Sequence, residues 1–157
     1  MSRQSIYLHF GSKAKLLQAL LDHLNETYVF PAYERYDLWN AASGVDALDA
    51  WVQVVAATSG PILGIANAVD AARRSDPDAD EIWQVPTRGR YHDCLRIVRW
   101  LAADGTLAAS WTIPDAARWL WATTSIRAYE DLTTTGWSTR RYISHTQRCL
   151  RAALTTD

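Results

Sequence analysis

The sequence predicts an all-α protein, and three observations carry that expectation. Apolar residues recur at three-and-four spacing along nearly the whole chain, no stretch alternates as a half-buried strand must, and capping residues stand where periodic runs begin. With 157 residues, 48% of them apolar, the chain can bury one sizeable core and a small appendage.

Each element follows in order. Ser12 stands at an N-cap position, and Leu16, Leu17, Leu20, Leu21 and Leu24 stripe a helix expected over 12–28. It should end before Pro31, because a proline ring disfavours helical geometry in the residue ahead of it. A polar loop containing Trp39 follows over 33–43. The next helix is expected over 46–57, with Gly60-Pro61 ending it and opening another striped by Ile62, Ile65, Ala66 and Val69. Asp76, Asp78 and Asp80 form an acidic turn suited to a helix N-terminus, and the glycine and distal glutamate of a calcium loop are missing.

Beyond that turn a helix carries Tyr91, Cys94, Leu95, Val98, Leu101 and Ala102 on one side and stops at Asp104-Gly105. Pro86 and Gly89 predict that its first part is kinked or separate. Two more helices are expected over 114–134 and 138–154. In the first, Trp119, Leu120, Trp121 and Ala122 point around most of the circumference, so it needs cover from its own domain, a partner chain or a ligand. The second pairs an apolar face, including Tyr142, Ile143, Leu150 and Leu154, with a cationic one of Arg141, His145, Arg148 and Arg151.

Composition narrows the function. A formal net charge of −1 gives no global basic excess, so any nucleic-acid contact must be a local patch. Cys94 and Cys149, with no CxxC and no secretory leader pattern, are expected as thiols in a cytoplasmic protein. The apolar run 52–69, interrupted by Gly60-Pro61, is not read as a membrane span. HExxH, GxSxG, P-loop and GxGxxG motifs are absent, and His9, His23, His92 and His145 are scattered. His92-Asp93-Cys94 is the one tempting cluster, but adjacent residues diverge on a helix. No enzyme, cofactor or metal site is expected.

The opening segment, SRQSIYLHFGSKAKLL, carries the strongest signal. As a short helix over 2–9 it would turn Ile6 inward together with Phe10 and leave Arg3, Gln4 and Tyr7 outside. Lys13 and Lys15 fall in the first turn of the next helix, where the helix dipole disfavours cations by about 0.3–1 kcal/mol each. A DNA phosphate there, also met by Tyr7 and His9, would repair the conflict. Spacing alone leaves solvated surface lysines as the other reading.

On these residues the chain resembles TetR-family transcriptional regulators, in which a recognition helix ending Tyr-x-His-Phe is followed by Gly or Pro, Ser-Lys and a leucine-rich connecting helix. The likeness is dense over 2–21. Gly105-x-Leu107, the Trp-rich helix and GWSTRRY over 136–142 extend it more weakly to the regulatory domain of actinobacterial-type members. It implies a partial helix-turn-helix domain over 1–28, comprising recognition and connecting helices, and a helical ligand-binding and dimerisation domain over 29–157. Ser2, Arg3, Gln4 and Ser5 match the base-reading face, Tyr7, His9 and Lys13 match phosphate contacts, and Ile6 and Phe10 match the DNA-binding domain's core. The family further implies a homodimer built by the last two helices, operator DNA as partner, no membrane, and repression relieved by a small apolar or aromatic effector.

Two departures stand out. The acid often found where Ala14 or Lys15 stands is missing, and with it the capping box. The two helices that precede a recognition helix are also missing ahead of Met1, where the family commonly has Val or Ala. The expectation is a natural chain that extends upstream by two amphipathic helices. The other reading takes the chain as it stands, a dimeric small-molecule-binding module without specific DNA binding.

Eight tryptophans are many for this length. Trp51, Trp83, Trp100, Trp119, Trp121 and Tyr129 are candidates to line the effector cavity, since aromatic rings supply large apolar area with few rotors. Core and interface packing is the alternative for each. Trp119 and Trp121, two apart on one helix, cannot share a face.

Overall fold

The computed structural model describes residues 13–156, the side chains at positions 13, 14 and 17 excepted. The architecture is all-α. Helix α1, Lys13–Leu24, passes into a π-helical turn, Asn25–Val29, and then α2, Phe30–Arg35. The expected stop before Pro31 is not found. The Phe30 N–H donates to the Asn25 carbonyl, one residue farther back than in an α-helix, and this widened turn opens a new helix in whose first turn Pro31 needs no donor. The chain turns at Asp37, which takes a left-handed conformation (φ 50°), and a 3-10 turn, Leu38–Asn40, buries Leu38.

Helix α3, Gly44–Ala72, is the central element. Ser43 caps it by accepting from the Asp46 N–H (3.1 Å). Contrary to expectation, Gly60-Pro61 does not divide it. Gly60 has no Cβ to meet the proline ring, and both residues are exposed, so water reaches the carbonyl that Pro61 leaves unpaired. By length and composition α3 could cross a membrane. Its N-terminal half packs in the core, with Leu48, Trp51 and Val52 buried among its neighbours.

Helix α4, Pro77–Ala103, is capped by Asp76, whose carboxylate accepts from the Asp78 and Ala79 N–H groups (3.1 and 3.4 Å). It too runs unbroken, through Pro86 and Gly89, with the Thr87 hydroxyl donating to the Trp83 carbonyl (2.7 Å) beside the missing rung. It stops at Asp104 as expected. Gly105 adopts φ 72°, and the Thr106 N–H returns to the Leu101 carbonyl (2.9 Å).

The single helix expected over 114–134 is two: α5, Ile113–Thr123, and α6, Ile126–Thr134. The Thr124 hydroxyl turns back to the Leu120 carbonyl (2.7 Å), and Ser125 caps α6 by accepting from the Ala128 N–H (3.1 Å). Helix α7, Thr139–Leu154, begins after the Ser138 cap as the sequence predicts.

The core lies where the N-terminal half of α3 meets α4, α5 and α7, with Ile97, Leu101, Leu120, Tyr142, Leu150 and Leu154 fully buried. Gly44 makes the closest approach in it. A Cβ there would lie 2.6 Å from the Leu101 nitrogen, and the Gly44 N–H donates to Asp104 Oδ2 (2.6 Å). The two long helices are thereby pinned at this end. They diverge toward the other, where α1 and α2 cover the gap.

Candidate functional site

That gap encloses a cavity of about 480 Å³ between α1, the π-helical turn, the C-terminal half of α3, the N-terminal half of α4 and the α5–α6 junction. Its volume falls in the range of about 300–1,000 Å³ typical of small-molecule sites. Periodicity explains the apolar wall. Leu20, Leu21 and Leu24 come from the leucine stripe of α1, Ile62, Ile65 and Val69 from the stripe of α3, and Ile82, Trp83 and Pro86 from α4. Phe30 and Val85 also line it and are exposed, which places its mouth between the start of α2 and the middle of α4.

The far end is polar. Arg90 Nη2 donates to the Thr124 and Trp121 carbonyls (2.8 and 3.3 Å), the carbonyls that α5 leaves unpaired at its C-terminus. Thr124 Oγ1 accepts from Trp51 Nε1 (3.0 Å). Tyr33 donates its hydroxyl proton to Asp93 Oδ2 (2.7 Å). Burial pulls the Arg90 guanidinium below its ordinary value and pushes the Asp93 carboxyl up, against the Tyr33 hydrogen bond and the nearby Arg96 and Arg90 charges. The Tyr33 phenol is raised as well, first by burial and then by Asp93.

The His92-Asp93-Cys94 run is dispersed as helix geometry requires. Asp93 faces the cavity, Cys94 is in the core with its thiol pushed up to about 12 by burial, and His92 is exposed. A thiol so protonated is a poor nucleophile at neutral pH.

Of the six rings expected at a cavity, Trp51 and Trp83 lie on this wall. The other four are turned to different surroundings. Trp100 is half-buried against the core at the pinned end of α4. Trp119 packs on Trp111 (5.5 Å between centroids), whose Nε1 donates to the Ala153 carbonyl (2.7 Å). Trp121 offers the cavity end its backbone carbonyl to Arg90, while its ring packs on the core with Nε1 shielded and without an acceptor among the described residues. Tyr129 is buried edge-on to Tyr142 (5.0 Å), its hydroxyl 3.1 Å from Thr139 Oγ1. The expected DNA-contacting residues Ser2, Arg3, Gln4, Ser5, Tyr7 and His9 lie outside the described residues, as does the Lys13 side chain.

Sequence reading missed the polar end. Pro86, Arg90, Asp93 and Ile97 follow each other at three-and-four spacing, so two charges stand in the inward register of α4, a signal available in the sequence. The tie of Arg90 to Thr124 depends on the α5–α6 break and had no local signal. Compared with known proteins, the chain matches no family model, no curated protein and no solved structure.

Proposed function

We propose that this chain is a ligand-responsive transcriptional regulator of the TetR type, a repressor whose small apolar effector occupies the cavity between α1, α3 and α4. One observation carries the reading. Leu20, Leu21 and Leu24 of α1 form a wall of the cavity, and α1 directly follows the segment that resembles a recognition helix. A ligand that fills the cavity therefore acts on the helix that would aim that segment at DNA. Differential affinity for two positions of α1 is then enough to shift the protein between operator-bound and released states. Dimerisation through α6 and α7, and contact of the two subunits with half-sites one DNA turn apart, belong to the same reading, as does a cytoplasmic location.

The second reading is a small-molecule-binding module without specific DNA binding. It is favoured by the cavity's described lining, which runs over residues 20–126 and includes both its apolar wall and its polar end. Selection of DNA fragments from a random pool by the purified chain, repeated with a cavity-binding compound present, tests both. Enrichment of a two-fold symmetric sequence that the compound releases supports the regulator. Compound binding with no enriched sequence leaves the binding module.

A further inference from the structure

We infer that the cavity's ligand is an amphipathic acid, an apolar body carrying a carboxylate that docks on Arg90. The inference rests on the cavity being a ligand site, as proposed above, and adds the chemistry of the head group. Arg90 reaches the cavity's inner end with one terminal nitrogen spent on the Thr124 and Trp121 carbonyls. Its Nε–H and Nη1–H groups make no hydrogen bond among the described residues, and no carboxylate there lies within ion-pair distance. A half-buried guanidinium whose hydrogen bonds among the described residues go only to carbonyls keeps its charge, and its planar fork matches a carboxylate.

The neighbouring acid does not supply that partner. Asp93 is engaged by the Tyr33 hydroxyl, and the next cation along the helix, Arg96, is drawn away over the Trp39 ring (4.0 Å to the centroid). A cationic head would meet Arg90 at this end, and a neutral one would leave it with only the nearby Asp93 charge, which the Tyr33 hydroxyl engages. The remaining wall from Leu24 to Val69 and Trp83 offers apolar surface for the body, which then extends toward the mouth at Phe30 and Val85. The head therefore enters first.

The test compares dodecanoate, dodecan-1-ol and dodecylammonium, each below its micelle concentration, by calorimetry and by fluorescence of the cavity tryptophans. Charge-assisted hydrogen bonding predicts that dodecanoate binds about ten- to hundredfold more tightly than the alcohol. Arg90→Gln should abolish that preference, and Arg90→Lys should keep part of it. The wild-type comparison stands even where a variant fails to fold. Equal affinity for acid and alcohol, or tighter binding of the ammonium, would overturn the head-group inference and leave the cavity as a ligand site. Binding of none of the three would overturn both.

Discussion

Trp51 and Thr124, 73 positions apart, are joined in the buried core by a hydrogen bond from the indole Nε1 to the threonine hydroxyl (3.0 Å), which in turn donates to the Leu120 carbonyl. The bond ties the central helix to the α5–α6 junction at the inner end of the cavity. Thr124→Val keeps the shape and removes the acceptor, leaving a buried indole N–H unpaired. The expected loss is about 1–3 kcal/mol of stability, read from urea unfolding at constant m-value. An unchanged midpoint would mean that the indole finds another acceptor.

Gly44→Ala tests the close crossing of α3 and α4. Its new Cβ would meet the Leu101 backbone at 2.6 Å, a contact that only movement of a whole helix can relieve. A loss of about 1–3 kcal/mol is expected, with Ser43→Ala, which removes only a cap, costing about 1 kcal/mol. Comparable losses for both would show that the helices part easily here.

Ile65→Trp fills the cavity from its α3 wall without touching Arg90. Dodecanoate and dodecan-1-ol should both weaken by about tenfold or more, since each loses room for its body. Thermal unfolding without ligand should change little, because the new ring occupies space that is open in the native chain. Undiminished binding of either compound would place it elsewhere on the protein.

Asp70 predicts an acid-dependent step. Its carboxylate accepts from Arg73 Nε (2.7 Å) and pairs with Arg127 Nη2 of α6 (2.9 Å), and the hydrogen bond from Arg73 foremost holds its pKa below the ordinary 3.8. A lowered folded value means that its contribution is complete above the unfolded value and is lost as pH falls through the folded one. The charges that face it are Arg73, Arg74 and Arg127, with Asp80 and Glu130 sharing those arginines. Asp70→Asn should therefore flatten stability against pH below about 4 while leaving the rest of the profile parallel to wild type. An unaltered acid limb would assign that loss to other carboxylates.

Much of the fold was legible because its signals are local. Asp76 ahead of Pro77, Ser138 ahead of the last helix, and Asp104-Gly105 at the end of α4 each act through hydrogen bonds a few residues away, and all three stand where expected. Pro31 and Gly60-Pro61 were misread as ends. At Pro31 a π-helical turn, and at Pro61 the exposure of the ring's neighbourhood, remove most of the local penalty, and packing on either side supplies the rest. The break at Thr124 was hidden for the converse reason, since it depends on an indole and a guanidinium from distant helices. Within the site, leucine and isoleucine stripes marked the apolar faces of Leu20, Leu24 and Ile65, but not that those faces line a cavity. A tryptophan is as useful to a core as to a cavity, so the rings alone could not separate Trp51 and Trp83 from Trp119 and Tyr129. The charges of α4, which mark the inner end, resemble an ordinary wet face until the helix's neighbours are known.

The proline within α3 also gives that helix two mechanical halves. Up to Ser59 the helix is clamped by the core, and past Pro61 one side is cavity wall while the other is tied to α6 by the Asn67 bond to Glu130 and the Asp70 pair with Arg127. At the joint one backbone rung is already absent. The longest wall of the cavity is thus held by two unlike kinds of contact, buried apolar packing around Trp51 and Leu48 on one side of the joint and polar ties to α6 on the other.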